Sequence, residues 1–337
     1  MKFHDMLSNA TKKRCLNTLL IGVAGAVMSA SALADYPRRP ISLVIPYGTG
    51  GATDISARAL AKSLSTEVSK PLVLVNRTGA GGATGSASVS HAKGNGYTML
   101  AARVGSHTVS PAMKNNLPYV LDDFKFVGVY EINPVVCATG TDTGIKSMAE
   151  LVLKVNSEPG KVSYSSSGVG SMNQLAGAMV LDAFGVENPL KTAVHLPMRG
   201  GGAAATAVLN GTATFICTNS SSLAGFIKNK QMVPLLVTTK ERLPGVDAPS
   251  VTELGHPELE QLVGWTGIAG PKTLSNEVVK SWSTWLKTAT HNPEFVNQMA
   301  KLGSVIVDMD PEQSKEFVEN QYATFRKLVD KLNMRVL

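Results

Sequence analysis

The sequence predicts an α/β protein, with mostly parallel sheets covered by helices on both faces. Three observations carry that prediction. Apolar runs of strand length alternate with helical apolar patterns along most of the 337 residues. Gly/Ser-rich turns follow three of those runs and lead into a helical pattern. The composition, 44% apolar and 17% charged, is that of a chain that can bury a core, and the length allows two domains.

The first 34 residues read as an export signal. Lys12, Lys13 and Arg14 form a basic start, Leu16 to Met28 is apolar, and Ala32-Leu33-Ala34 is a small-x-small cleavage site that leaves Asp35 as the new N-terminus. The apolar stretch is too short for a comfortable membrane span, and Cys15 leaves with it. "ISLVIPY" (41–47) is then a strand leading into a helix from about Asp54 to Ser69. "PLVLVNR" (71–77) is a second strand, followed by the glycine stretch "TGAGGATGSASVSHA", and "YTMLAARV" (97–104) is a third. "KVSYSSSGVGSMNQLAGAMVLDAFG" repeats the order strand, Gly/Ser turn, helix. "GTATFICT" and "MVPLLVTT" are further strands, and "SNEVVKSWSTWLKTAT" and "PEQSKEFVENQYATFRKLVDKL" are amphipathic helices. Proline-bearing joints at "EINPVV" and "VDAPSVTELGHPELEQLVGW" mark domain crossings.

Charge and motifs exclude several classes. Without the signal, 28 Lys/Arg and 24 Asp/Glu remain, a net charge of +4 against +7 for the whole chain, and no basic run stands out, so nucleic acid is not an expected partner. Gly79 and Gly81 begin a G-x-G-x-x-G pattern, but Thr84 occupies its third place, and no turn ends in the lysine of a phosphate loop. His4, His91, His107, His195, His256 and His291 include no zinc-ligand spacing, and there is no C-x-x-C, so neither a metal nor another cofactor is expected. Ser106, Ser167 and Ser171 lie near glycines without a G-x-S-x-G elbow, which argues against a hydrolase. Cys137 and Cys217 both sit in apolar strand-like runs, which leaves open one disulfide or two buried thiols.

In open α/β sheets, ligands sit beyond the carboxyl ends of strands, where helices begin. Residues 48–54, 79–85 and 165–171 occupy such places. A helix N-terminus has amide hydrogens without partners and a partial positive charge, and glycine lets a ligand approach them closely. Turns of this kind favour an anion.

Several stretches together resemble one family. "YPRRPISLVIPYGTGGATDISARALAKSLS", "VLVNRTGAGGATGSASVSHAKGNGYTML", "GSHTVSPAM", "PGKVSYSSSGVGSMNQLAG", "HLPMRGGGAAATAVLNGTATF" and "LLVTTKERLPGVDAPSVTELG" are similar, in that order, to motifs of Bug-type receptors, the periplasmic solute-binding proteins of tripartite tricarboxylate transporters. The resemblance runs from Tyr36 almost to the end of the chain. It implies a periplasmic-binding-protein fold of two doubly wound α/β lobes joined by crossing strands, which close on a ligand like a hinge. Lobe 1 would be 35–136 plus 262–337 and lobe 2 would be 137–261. It also implies a periplasmic monomer without enzymatic activity, partnered by one large and one small integral membrane subunit. An alternative is a receptor that presents the same ligand to a membrane sensor kinase.

By the same resemblance, two loops would grip one carboxylate of a small organic acid between backbone amides. The first is Tyr47, Gly48, Thr49, Gly50, Gly51, Ala52, Thr53 and Asp54; the second is Ser166, Ser167, Gly168, Val169, Gly170 and Ser171. Asp54 is expected to cap its own helix and shape the loop rather than face an anion. Ser106 and His107 match a family motif, His107 reading as a structural histidine, and the glycines of 79–85 read as lobe packing. Departures from the family pattern point to the ligand. Gly48-Thr49 replaces two prolines, Gln174 stands where histidine is usual, Met198 precedes Arg199 in place of tyrosine, Ala203 replaces a proline, and Thr214 and Thr218 replace aspartates, with Asn219 next in the chain. Arg103 stands where small residues are usual, at the end of a strand that should reach the cleft. Loss of acids disfavours an ammonium-bearing ligand, Arg103 favours a second carboxylate, and Met198 would face an apolar body. The expectation is a dicarboxylate, with terephthalate as an aromatic example.

Overall fold

The computed structural model describes residues 36–335. The export signal expected at 1–34 lies outside them. Strand β1 (Ile41–Ile45) pairs in parallel with β2 (Leu72–Asn76) and β3 (Thr98–Arg103). Ile41, Leu43, Val44 and Ile45 are all buried, as a parallel strand covered on both faces requires. Helices α1 (Ala52–Ser63) and α2 (Ala83–Ser90) connect the three strands. A second parallel array repeats the plan: β5 (Ser163–Ser166) lies between β6 (Val194–Pro197) and β7 (Phe215–Asn219). Its helices are α3 (Met148–Ser157), α4 (Met172–Ala183), α5 (Gly201–Leu209) and α6 (Ser220–Lys228).

Two long strands join the arrays. β4 (Phe124–Gly140, 17 residues) and β9 (Val263–Pro271) lie between them, giving the order β2-β1-β3-β9-β4-β7-β5-β6, with β8 (Met232–Val237) and β10 (Val305–Met309) also paired to β4. From Phe124 to Pro134, β4 pairs with β9; from Val135 it pairs with β7. Pro134 stands at the change of partner, where a residue that cannot donate to a ladder does least harm. All pairings of β4 and β9 are antiparallel. The sheet is therefore mixed rather than mostly parallel: strands that carry the chain between two parallel arrays must run against their neighbours. From Arg39 onward the chain forms one compact unit.

The closing helices match their periodicity. In α7 (Asn276–Thr290) Val278, Trp282, Leu286 and Ala289 are buried. In α8 (Pro311–Lys331) Val318, Gln321, Phe325 and Leu328 are buried, and Asp310 and Gln313 form a capping box around Pro311. Trp265 of β9 is fully buried, and its Nε1–H donates to Gln321 Oε1 at 2.7 Å. The first helix begins two residues before the expected Asp54 and ends six residues before the expected Ser69. Gly51, extended at φ −75° and ψ 164°, is its N-cap, and after Leu64 the bonds tighten, with Ser65 N–H and hydroxyl both on Lys62 C=O.

The cysteine alternative resolves to a disulfide. Cys137 of β4 lies directly opposite Cys217 of β7, and the two are bonded. The closed loop spans 80 residues, so the bond restricts the unfolded chain strongly. Replacing both cysteines by alanine should lower the unfolding free energy by roughly 2–4 kcal/mol. Urea titration should show this as a lower midpoint.

Candidate functional site

A cleft of about 740 Å³ opens where the two parallel arrays face each other. On one side it is lined by Tyr47, Gly51, Ala52 and Thr53, at the end of β1 and the start of α1, and by Arg103 at the end of β3. On the other it is lined by residues 167–173, at the start of α4, and by Gly200, Gly201 and Asn219. The first turns of α1 and α4 thus open into the same space. Among the described residues, the amides of Ala52 and Thr53 and of Met172 and Asn173 have no acceptor, so four N–H dipoles point into the gap.

The glycine amides have a different role. Gly50 N–H donates to Asp54 Oδ2 at 2.9 Å, and Gly51 N–H donates to Gly48 C=O at 3.2 Å. In the second loop Gly170 N–H donates to Gln174 Oε1 at 2.7 Å, and Gly168 N–H donates to Ser166 Oγ at 3.2 Å. Both loops use one device: the third residue of the helix reaches back to the amide two places before the first. The glycines hold the loops in shape, and the helical turns behind them present the free donors.

Arg103 is 7% exposed. Its Nη1 donates to Thr266 Oγ1 at 2.7 Å, and among the described residues it has no ion pair. Glu131 lies one strand beyond Thr266, but its carboxylate accepts from Ser56, Asn133 and Ser304. Lys114, half-buried, also lines the cleft, and among the described residues no aspartate or glutamate does. The Tyr47 ring packs on Gly82 and Gly105: a Cβ at Gly105 would stand 2.6 Å from the Tyr47 hydroxyl. That hydroxyl is buried beside Ser106 and Arg103 without a well-formed hydrogen bond, and burial raises its pKa. Asn219, which lines the cleft, has its Oδ1 buried against Gly264 without a partner.

Residues 56–334 match the model of a family described as tripartite tricarboxylate transporter family receptor. The chain belongs to this receptor family. An Agrobacterium vitis relative, a UPF0065 protein in the TAR-I ttuE-ttuC' intergenic region, is 31% identical over 283 residues, 83% of this chain and 80% of that one. The structure of the periplasmic binding protein BugD superposes with a TM-score of 0.74 at 27% identity, covering 89% of this chain and 99% of that one. That of R. palustris Rpa4515 with adipate superposes with a TM-score of 0.76 at 24% identity and the same coverage. The architecture is the two-lobed periplasmic-binding-protein fold.

Against this receptor fold, the expected site residues divide. Tyr47, Gly51, Ala52, Thr53, Arg103, Ser167, Gly168, Val169, Gly170, Ser171 and Asn219 line the cleft. Gly48, Thr49 and Gly50 lie on the exposed crest of the first loop. Asp54 is 1% exposed and faces away: its oxygens accept from Gly50, from Asn76 at 2.9 Å and from Arg58 Nε at 2.8 Å. It shapes the loop as expected, but from the third helical position rather than as the N-cap. Ser106 and Ser166 are fully buried behind the lining. Thr218, 2% exposed, accepts from Asn173 Nδ2 and so orients a lining residue. Met198 packs on the core beneath α5, and Arg199 is exposed beyond the rim. Of the apolar residues at the cleft, Val169 is exposed, whereas Val104 and Met172 border it but pack into the core.

Ala80 and Gly81, read as lobe packing, line the cleft, as does Lys114. Lys114 had one available signal, since no acid stands three or four residues from it to pair along a helix. His107 is structural. Nδ1 meets Ser106 Oγ at 2.9 Å, Tyr119, Phe124, Phe126 and Trp265 surround the ring, and Nε2 is buried without a partner.

Burial depresses the His107 pKa to about 3. The Arg58 hydrogen bond, aided by Gly50 and Asn76 against burial, lowers Asp54 to about 2. For both groups the unfolded chain binds the proton more readily, so stability falls as pH falls. The histidine contribution is lost from about pH 6.5 to 3 and that of Asp54 from about 3.8 to 2. Urea unfolding followed by tryptophan fluorescence should show this two-part decline, and His107→Gln should remove the upper part only.

Proposed function

We propose that this chain is a periplasmic solute receptor for a small organic dicarboxylate, which it passes to the large and small membrane subunits of a tripartite tricarboxylate transporter. The observation that carries this reading is Arg103, a buried guanidinium that among the described residues has no ion pair, in a cleft that also receives two helix N-termini and whose described lining holds no acid. A buried charge without a counter-ion costs several kcal/mol, and an anionic ligand offsets that cost. One carboxylate would lie between the first turns of α1 and α4, and the second on the planar fork of Arg103.

Each charge-assisted hydrogen bond contributes roughly 1.5–3 kcal/mol, and each helix end about 0.3–1 kcal/mol. Four such bonds, less the cost of closure, reach the roughly 8 kcal/mol of micromolar binding. Exposed Val169 suits an apolar body between the acid groups, aromatic in the case of terephthalate. Adipate, bound by the R. palustris relative, has the same two-ended charge on an aliphatic body. The Cys137–Cys217 bond supports an oxidising compartment. Closure would bring lobe 2 (137–261) onto lobe 1 (35–136 with 262–337).

A thermal-shift and fluorescence screen against mono-, di- and tricarboxylates and amino acids tests the class, because stabilisation grows with ligand excess over Kd. Arg103→Ala should weaken a dicarboxylate at least about tenfold more than its monocarboxylate analogue, a difference near 1.4 kcal/mol; equal losses would remove the assignment. Gln174→Glu keeps an acceptor for Gly170 but adds a negative charge at the helix end. It should lower affinity for either acid about tenfold while leaving the melting temperature of the free protein nearly unchanged. Growth of a deletion strain on the ligand, set against ligand-dependent transcription, separates transport from sensing.

A further inference from the structure

The second loop is held from behind by a residue outside the cleft lining. Ser166 ends β5, fully buried, and its Oγ has three neighbours at hydrogen-bond distance: Gly168 N–H at 3.2 Å, Gly168 C=O at 3.0 Å and His195 Nε2 at 2.6 Å. A hydroxyl has one proton and two lone pairs. The Gly168 amide can only donate and the Gly168 carbonyl can only accept. All three contacts are satisfied together only when the Ser166 proton goes to the carbonyl and His195 Nε2 carries a hydrogen of its own. Gly168 has φ +133°, a conformation that glycine tolerates, and its carbonyl points back toward the buried Ser166 Oγ while the residue lines the cleft.

His195 lies on β6, opposite Tyr164 of β5 and diagonal to Ser166. On the receptor reading above, we infer that His195 is a positioning residue: by donating Nε2–H to Ser166 Oγ, it keeps the Gly168 carbonyl turned inward and away from the bound carboxylate. Without that donor the Ser166 proton is free to turn toward the empty side, the carbonyl loses its tether, and its negative end can swing into the space an anion must occupy. Protonation of the ring adds a hydrogen at Nδ1 and leaves the Nε2–H in place. The imidazolium therefore supports the same loop and adds positive charge behind it. By reciprocity, ligand binding takes up a proton, and affinity rises as pH falls.

The titratable group facing the ring is Tyr164, with ring centroids 5.1 Å apart. Burial depresses the His195 pKa, and among the described residues no carboxylate, lysine or arginine acts on it.

The test compares wild type, His195→Gln and His195→Ala from pH 8 to 5.5, by calorimetric titration with adipate and terephthalate. The free proteins are examined by long-range proton–nitrogen NMR of the ring and by hydrogen exchange at Gly168. Gln supplies an N–H donor without titrating. Wild type should show the Nε2–H tautomer at pH 8 and tighter binding as pH falls. His195→Gln should bind as wild type does at pH 8, within about threefold, with no pH slope. His195→Ala should lose about tenfold at pH 8 and exchange the Gly168 amide at least about tenfold faster. An Nδ1–H tautomer in free wild type, or an alanine variant with wild-type exchange and affinity, would overturn the inference. If wild type binds neither acid while the tautomer and the exchange rates come out as expected, the ligand reading falls and the positioning role stands.

Discussion

The arrangement rests on positive charge that the folded chain leaves without a counter-charge. Four helix-end amides and one guanidinium converge on a single gap, and none of them is answered by an acid from the lining. Partial charges of this kind are cheap to leave in water and costly to enclose. An open cleft tolerates them, and a closed one without an anion does not. A ligand shifts a balance between open and closed forms only by binding one of them better.

Topology makes the convergence possible. Within each parallel array, helices begin at the carboxyl ends of the strands. β4 and β9 run against those strands and set the two arrays edge to edge, so the carboxyl end of β1 and that of β5 open on the same space. The joint is tied by polar contacts. Ser220 Oγ donates to Gly303 C=O at 2.8 Å, and Ser304, next in the chain, donates to the buried Glu131 at 2.7 Å. Ser56 of α1 reaches the same carboxylate, so the helix that lines the cleft and the strand that crosses between lobes share one anchor.

The two loops are equivalent in geometry and unequal in charge. Asp54 and Gln174 hold Gly50 and Gly170 in the same way, but Asp54 is ionised and neutralised by Arg58, whereas Gln174 is neutral. The α4 end therefore presents its dipole undiluted, with the Ser166–His195 pair behind it, and Arg103 lies on the other side. The cleft therefore has electropositive groups on both sides, the α4 end on one and Arg103 on the other.

Much of this was legible in the residues. Alternating apolar runs gave both arrays, the glycine turns marked the strand ends that face the cleft, and Arg103 stood out as a cation where small residues are usual. The proline at 134 marked the crossing. Local pattern has reach only over a few residues, and what it missed is non-local. Whether Cys137 meets Cys217 depends on register across 80 residues. That Met198 packs on the core rather than facing the cleft depends on what lies beneath it in the fold. Lys114 reaches the cleft from a turn that only folding brings there. Which amides stay free is also a tertiary matter, because the glycine N–H groups that look available in a sequence are taken up by side chains folded back from the next turn. Hydrophobic period and turn chemistry act between near neighbours and are written in the chain; the direction of a side chain and the satisfaction of a donor are settled only when distant segments meet.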